Sequence, residues 1–139
     1  MHILLPVLVT GCGAFIGGVF RYLAALIAGK FVYSYSANPN QILPFALIVT
    51  TILINISGSF CITLLTGVLQ NTFNTSPLLK FFLITGVLGG FTTFSTFSLD
   101  FIYLLEHKFL FAAFLYVTIS VVFALAGAML GFKLAAVLK

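Results

Sequence analysis

Four apolar runs, each longer than the roughly 20 helical residues needed to cross a hydrocarbon core, fill most of this chain. They extend from about Ile3 to Ile27, Ile42 to Leu69, Leu78 to Tyr103 and Phe109 to Leu138. With 62% hydrophobic and only 6% charged residues, the chain falls far below the roughly 25% charge of soluble domains. Lipid is therefore its main solvent. The connections are short, so neighbouring spans run antiparallel and leave no room for a soluble domain. The predicted class is an all-α membrane protein, with residues 1–139 as a single domain of four transmembrane helices.

The third run contains a poor helix interior, Gly89-Gly90-Phe91-Thr92-Thr93-Phe94-Ser95-Thr96-Phe97-Ser98. Each glycine costs about 1 kcal/mol relative to alanine, and the hydroxyls that follow can bond back onto the backbone and bend it. This predicts a helix broken at mid-membrane. Backbone groups freed in hydrocarbon must find partners inside the protein or in a wet cavity. A broken span of this kind points to an ion or substrate site.

The other spans read as its surroundings. In the first, Gly13-x-x-x-Gly17 lets helix backbones approach closely, and Arg21 follows one turn later. That guanidinium either snorkels to the interface or fixes a positive charge at the mouth of an anion path. Asn38-Pro39-Asn40 predicts a loop over Ser34–Gln41, with Pro44 near the start of the second helix. In the second span Thr51, Asn55, Ser59 and Thr63 recur every four residues. Drifting about 40° per step, they form a slowly winding polar stripe about 18 Å long. Local bonds cannot satisfy the whole Asn55 amide, so it either ties two helices together or donates into a cavity. Gln70–Ser76 is a second polar loop, closed by Pro77 as a helix start. Phe94 and Phe97 share one side of the resumed helix. Asp100 precedes the charged turn Glu106-His107-Lys108, and the fourth span carries Tyr116 and Ser120, also four apart. Cys12 and Cys61 lie in apolar runs and read as small buried packing residues.

Charge bounds the partners and the topology. A net charge of +4 arises without any basic cluster, which favours lipid headgroups over nucleic acid. Lys80, Lys133 and Lys139 fall on one side of a four-span chain, Lys30 and Lys108 on the other, with Arg21 as a possible third there. Orientation follows Lys/Arg bias, and here there is almost none. That balance suggests an antiparallel, dual-topology dimer.

The broken stretch strongly resembles the signature of the Fluc/CrcB fluoride channels. So do Gly13-Ala14-Phe15-Ile16-Gly17-Gly18-Val19-Phe20-Arg21-Tyr22, Asn55 with Gly58-Ser59-Phe60, and the whole segment Gly86–Ser98. The resemblance implies a homodimer in the bacterial inner (plasma) membrane, with two antiparallel pores that pass fluoride out of the cytoplasm. It implies a structural, untransported Na+ at the dimer centre on the backbone carbonyls of Gly89 and Thr92. It also implies a fluoride path past Asn55, Phe94 and Phe97. Thr51, Ser95, Thr96, Tyr116 and Ser120 would supply hydroxyls, with Arg21 as the first-helix arginine. Two departures stand out: Ala124 replaces a frequent hydroxyl, and Asp100 replaces a frequent Glu.

These residue types suit a small, strongly hydrated anion, which needs several donors when it loses its water. Aromatic ring edges add weak positive potential, and conduction requires binding weak enough to release. A small multidrug-type exporter is the alternative, but it needs a membrane-buried carboxylate, and Asp100 and Glu106 are expected near a loop. No Ser/His pair at membrane depth supports an intramembrane enzyme. A purely structural subunit would leave the broken helix without a purpose.

Overall fold

A computed structural model describes residues 3–71 and 76–138. Helix α1 spans Leu4–Tyr35 and α2 spans Pro39–Asn71. Helix α3 covers 77–91 and is built from an α-turn at Pro77–Lys80, a π-helical stretch at Phe81–Leu88 and a final α-turn at Gly89–Phe91. Helix α4 is Phe94–Glu106 and α5 is Leu110–Val137. Taken together, α3 and α4 make one span, so four stretches are long and apolar enough to cross a membrane. Among the described residues there is no strand. Large apolar side chains remain exposed along the helices, including Phe15, Phe114 and Phe123. The chain is an all-helical integral membrane protein, as its apolar runs predict.

The helix ends differ from expectation in instructive ways. Helix α1 continues past Ile27 and Lys30 to Tyr35, because a lysine limits burial in lipid without interrupting the backbone ladder. The first connection is only residues 36–38, and Pro39, expected in a loop, opens α2. Proline suits a first helical position, where its missing N–H has no partner to lose. Pro44 therefore lies inside the helix rather than at its start, and the carbonyl of Asn40 forgoes its usual donor. Pro77 does open α3, behind a Ser76 side chain that accepts from the Leu78 N–H at 3.3 Å. Within the expected 70–76 loop, residues 72–75 lie outside the described residues, as do Met1, His2 and Lys139.

The turn after α4 is a Schellman motif. The Lys108 N–H reaches the Leu105 carbonyl at 3.0 Å and the Phe109 N–H reaches that of Leu104 at 2.9 Å. Lys108 sits at φ 62°, a left-handed position that usually goes to glycine.

Two interfaces hold the spans together. Helix α1 lies backbone to backbone against α3 through Gly13 and Gly17 on one side and Gly86 and Gly90 on the other. A Cβ at Gly86 would stand 2.8 Å from the Thr10 carbonyl oxygen, and one at Gly90 would stand 2.5 Å from that of Ala14. The small-residue spacing of the first span thus finds its partner in the third. Helix α2 packs chiefly on α5, where Gly131 admits Phe60 and Thr63. The Thr63 hydroxyl donates across that interface, 2.8 Å from the Ala128 carbonyl oxygen. It is helix glue and not part of an open polar stripe. A small core of Ile48, Leu104, Ala113 and Tyr116 ties α2, α4 and α5. Cys61 is half-buried, but Cys12 is exposed, contrary to its reading as a buried packing residue.

Candidate functional site

The third span opens over two residues. Thr92 (φ −72°, ψ 156°) and Thr93 (φ −151°, ψ 119°) are both extended. The Thr92 N–H still reaches the Leu88 carbonyl at 3.0 Å, but the Thr92 carbonyl and both backbone groups of Thr93 leave the helical ladder and are met from two directions. Asn55 pairs with the Thr93 backbone in both senses. Its Nδ2 donates to the Thr93 carbonyl at 3.0 Å, and its Oδ1 accepts from the Thr93 N–H at 2.9 Å. The guanidinium of Arg21 donates from Nη1 to the Thr92 carbonyl at 3.3 Å. Helix α4 then restarts on a side-chain cap, the Thr93 Oγ1 accepting from the Thr96 N–H at 3.1 Å. The same Oγ1 lies 3.0 Å from the Thr96 hydroxyl and 3.2 Å from that of Ser95. The Asn55, Arg21 and Thr93 side chains thus stand in for helical bonds missing at the break, which is what a break at membrane depth demands.

The break also bears on the oxygens that the resemblance assigns to sodium. In an unbroken helix the Thr93 N–H would bond the Gly89 carbonyl. Here it is turned to Asn55, and the Gly89 oxygen loses that donor. The Thr92 oxygen holds Arg21 on one lone pair and has a second to offer. Hard carbonyl oxygens of this kind suit a hard cation, and one chain supplies two of them.

The side chains singled out in the sequence divide between two cavities that share Thr93 as a wall. One, of about 300 Å³, is lined by Asn55, Phe94, Phe97 and Ser120, together with Ser59 and Ala124. The other, of about 350 Å³, is lined by Arg21, Thr51, Thr96 and Asp100. Phe94 and Phe97 do share a side, with ring centroids 5.4 Å apart, but Phe94 is 79% exposed in the single chain. Ser95 is exposed and lines neither of these two cavities. Tyr116 lines neither as well; it is buried, stacks on Phe97 at 5.0 Å and donates to the Asp100 carboxylate at 2.9 Å. Ser120 is 5% exposed, and its Oγ has no hydrogen-bond partner.

Two placements correct the sequence reading. Arg21 does not snorkel to the interface; it reaches the break itself, pairing with the Thr92 carbonyl as intramembrane cations do. Asp100 is not near a loop, since α4 continues six residues beyond it to Glu106, and its carboxylate is held by Tyr116. His107, by contrast, is exposed at the turn as expected.

Thr93 was the functional residue hardest to see. It caps α4, pairs with Asn55 and walls both cavities, yet in sequence it is one hydroxyl among several. Its signal was the ordinary helix-start preference for threonine, with Thr96 three residues on.

The CrcB-like protein family, described as camphor resistance (CrcB), matches residues 8–132. Three similar curated proteins each carry the name fluoride-specific ion channel FluC. The one from Flavobacterium psychrophilum is 41% identical over 88% of this chain and 90% of its own length. The one from Elusimicrobium minutum is 37% identical over 99% of both chains. The one from Ruminiclostridium cellulolyticum is 36% identical over 97% of this chain and 95% of its own. With the helix break, the glycine seam and the Asn55 clamp falling inside the matched region, the chain belongs to the CrcB family.

Proposed function

We propose that this protein is a fluoride-selective channel, passively exporting fluoride from the cytoplasm across the bacterial inner membrane. The observation that carries the proposal is a buried hydroxyl without a partner. Ser120 faces a cavity at the depth of a broken helix, beside Asn55 and the Phe94–Phe97 pair. An unpaired buried donor is costly, and a small anion is the ligand that relieves it. Asn55 adds the second N–H of its Nδ2, the first being spent on Thr93. The ring edges of Phe94 and Phe97 offer positive potential without a proton that could be lost. The names of the curated relatives support the same ion.

The working form is an antiparallel homodimer. The near absence of Lys/Arg bias supports it, as does the exposure of Phe94, a ring that would need a second chain to face a confined ion. Gly89 and Thr92 of each copy would hold a structural sodium ion through their carbonyl oxygens. Bound there, it would supply a fixed positive field that is not transported. Arg21 orients the Thr92 carbonyl, and Asn55 keeps the adjoining peptide from re-forming a helix.

Asp100 favours one other reading, a proton-coupled exporter, because it is a carboxylate inside a span. Its hydrogen bond to Tyr116 and the relatives' names weigh toward the channel. The test is fluoride-electrode efflux from liposomes holding purified protein. Rapid efflux without a proton gradient is expected; no flux above protein-free vesicles would overturn the proposal. Labelling of an engineered terminal cysteine in intact cells from one side only would overturn the antiparallel dimer.

A further inference from the structure

We infer that Ser59 is a second anion-contacting hydroxyl, acting with Ser120 one helical turn beyond Asn55. This rests on the channel reading given above. The hydroxyls of α2 make the case. Thr50, Thr51, Ser57 and Thr66 each donate to the carbonyl one turn back, at 2.8, 3.2, 2.7 and 2.6 Å respectively, and Thr63 donates to the Ala128 carbonyl at 2.8 Å. Such back-bonding is the usual fate of a hydroxyl in an apolar helix. Among the described residues, Ser59 is the α2 hydroxyl that donates neither to its own helix nor across to a neighbour. Its side chain instead lines the cavity into which the unpartnered Ser120 hydroxyl projects.

The rest of that wall strengthens the assignment. Ile62, Val121 and Ala124 carry no donor. Thr92 and Thr93 also line it, but their hydroxyl protons are spent on the Leu88 carbonyl and the Thr96 hydroxyl, so beyond the Asn55 amide an ion shedding its water there meets Ser59 and Ser120 as its free donors. Two hydroxyls on facing helices, each with a free proton and a rotatable O–H, can close on a small anion from opposite directions. One alone leaves the ion half solvated.

Ser59→Ala removes the donor and keeps helix propensity. Losing one hydrogen bond to a charged partner corresponds to about a tenfold loss or more, so liposome fluoride efflux should fall about tenfold, with gel-filtration elution unchanged. Ser59→Cys keeps the volume with a weak donor and should show the same loss; it also serves if the alanine variant does not fold. Adding Ala124→Ser to Ser59→Ala returns a hydroxyl to the wall and should recover flux, which no packing role for Ser59 would produce. Efflux within twofold of the unmodified chain in a correctly eluting Ser59→Ala or Ser59→Cys protein overturns the inference alone. Absence of fluoride flux in the unmodified chain overturns the proposed function as well.

Discussion

Replacing Asn55 by Asp is the sharpest perturbation of the break, because it changes one atom group and leaves the shape alone. In the native chain the amide makes two bonds to the backbone of a single residue, 3.0 Å to the Thr93 carbonyl and 2.9 Å to its N–H. A carboxylate keeps the second and loses the first, setting an anionic oxygen against a carbonyl oxygen. Leaving that carbonyl without a donor costs about 1–3 kcal/mol. The larger effect falls on the ion. A carboxylate about 5 Å from a fluoride in the same cavity repels it by about 3 kcal/mol at an effective dielectric of about 20. That corresponds to more than a hundredfold in rate. Fluoride-electrode efflux from liposomes should therefore be nearly abolished, while the protein still elutes as folded. Asn55→Ala should separate the two roles. It adds no charge but strands both Thr93 groups, costing roughly 2–6 kcal/mol, so its thermal stability should drop further than that of the Asp variant. Efflux through Asn55→Asp within threefold of the native rate would refute this reasoning.

Gly90→Val should separate α1 from α3, since its Cβ alone would meet the Ala14 carbonyl oxygen at 2.5 Å; overpacking costs about 1–3 kcal/mol or more, read as loss of the folded gel-filtration peak. Lys108→Gly should raise thermal stability by about 1 kcal/mol, because the φ of 62° strains any residue with a Cβ; an unchanged melting temperature would count against the Schellman reading. Phe94→Ile should lower efflux several-fold by removing the polarised ring edge beside Phe97, and unchanged flux would mean the ring only packs.

The four spans were legible because lipid imposes one requirement on every residue of a run, so the pattern repeats long enough to be read. The break was legible for a related reason: Gly89-Gly90 followed by hydroxyls is locally poor for a helix whatever surrounds it. What surrounds it was not. Asn55 and Thr93 are 38 residues apart, and nothing in either neighbourhood says that one amide will serve both backbone groups of one residue. Arg21 and Thr92 are 71 apart, and hydropathy placed the charge at a surface because it treats each side chain alone. The stripe of Thr51, Asn55, Ser59 and Thr63 was real as spacing but did not remain one surface. Thr51 went to one cavity, Asn55 and Ser59 to another, and Thr63 into the α5 contact. The π-helical stretch Phe81–Leu88 had no composition that set it apart from an ordinary apolar helix.

The seam of bare peptide between α1 and α3 behaves like a key cut for one notch. Bulky side chains can rotate to absorb a small slip, whereas backbone lying on backbone has no such slack. Sliding α1 along by a single position would drive Ala14 or a larger neighbour into peptide planes that tolerate only hydrogen. Arg21 is carried on the same rod, so its reach is set by four absent methyl groups and not by its own flexible stem. Which carbonyl receives the positive charge is thereby decided one and two turns away along α1, at Gly17 and Gly13, by atoms that never touch it.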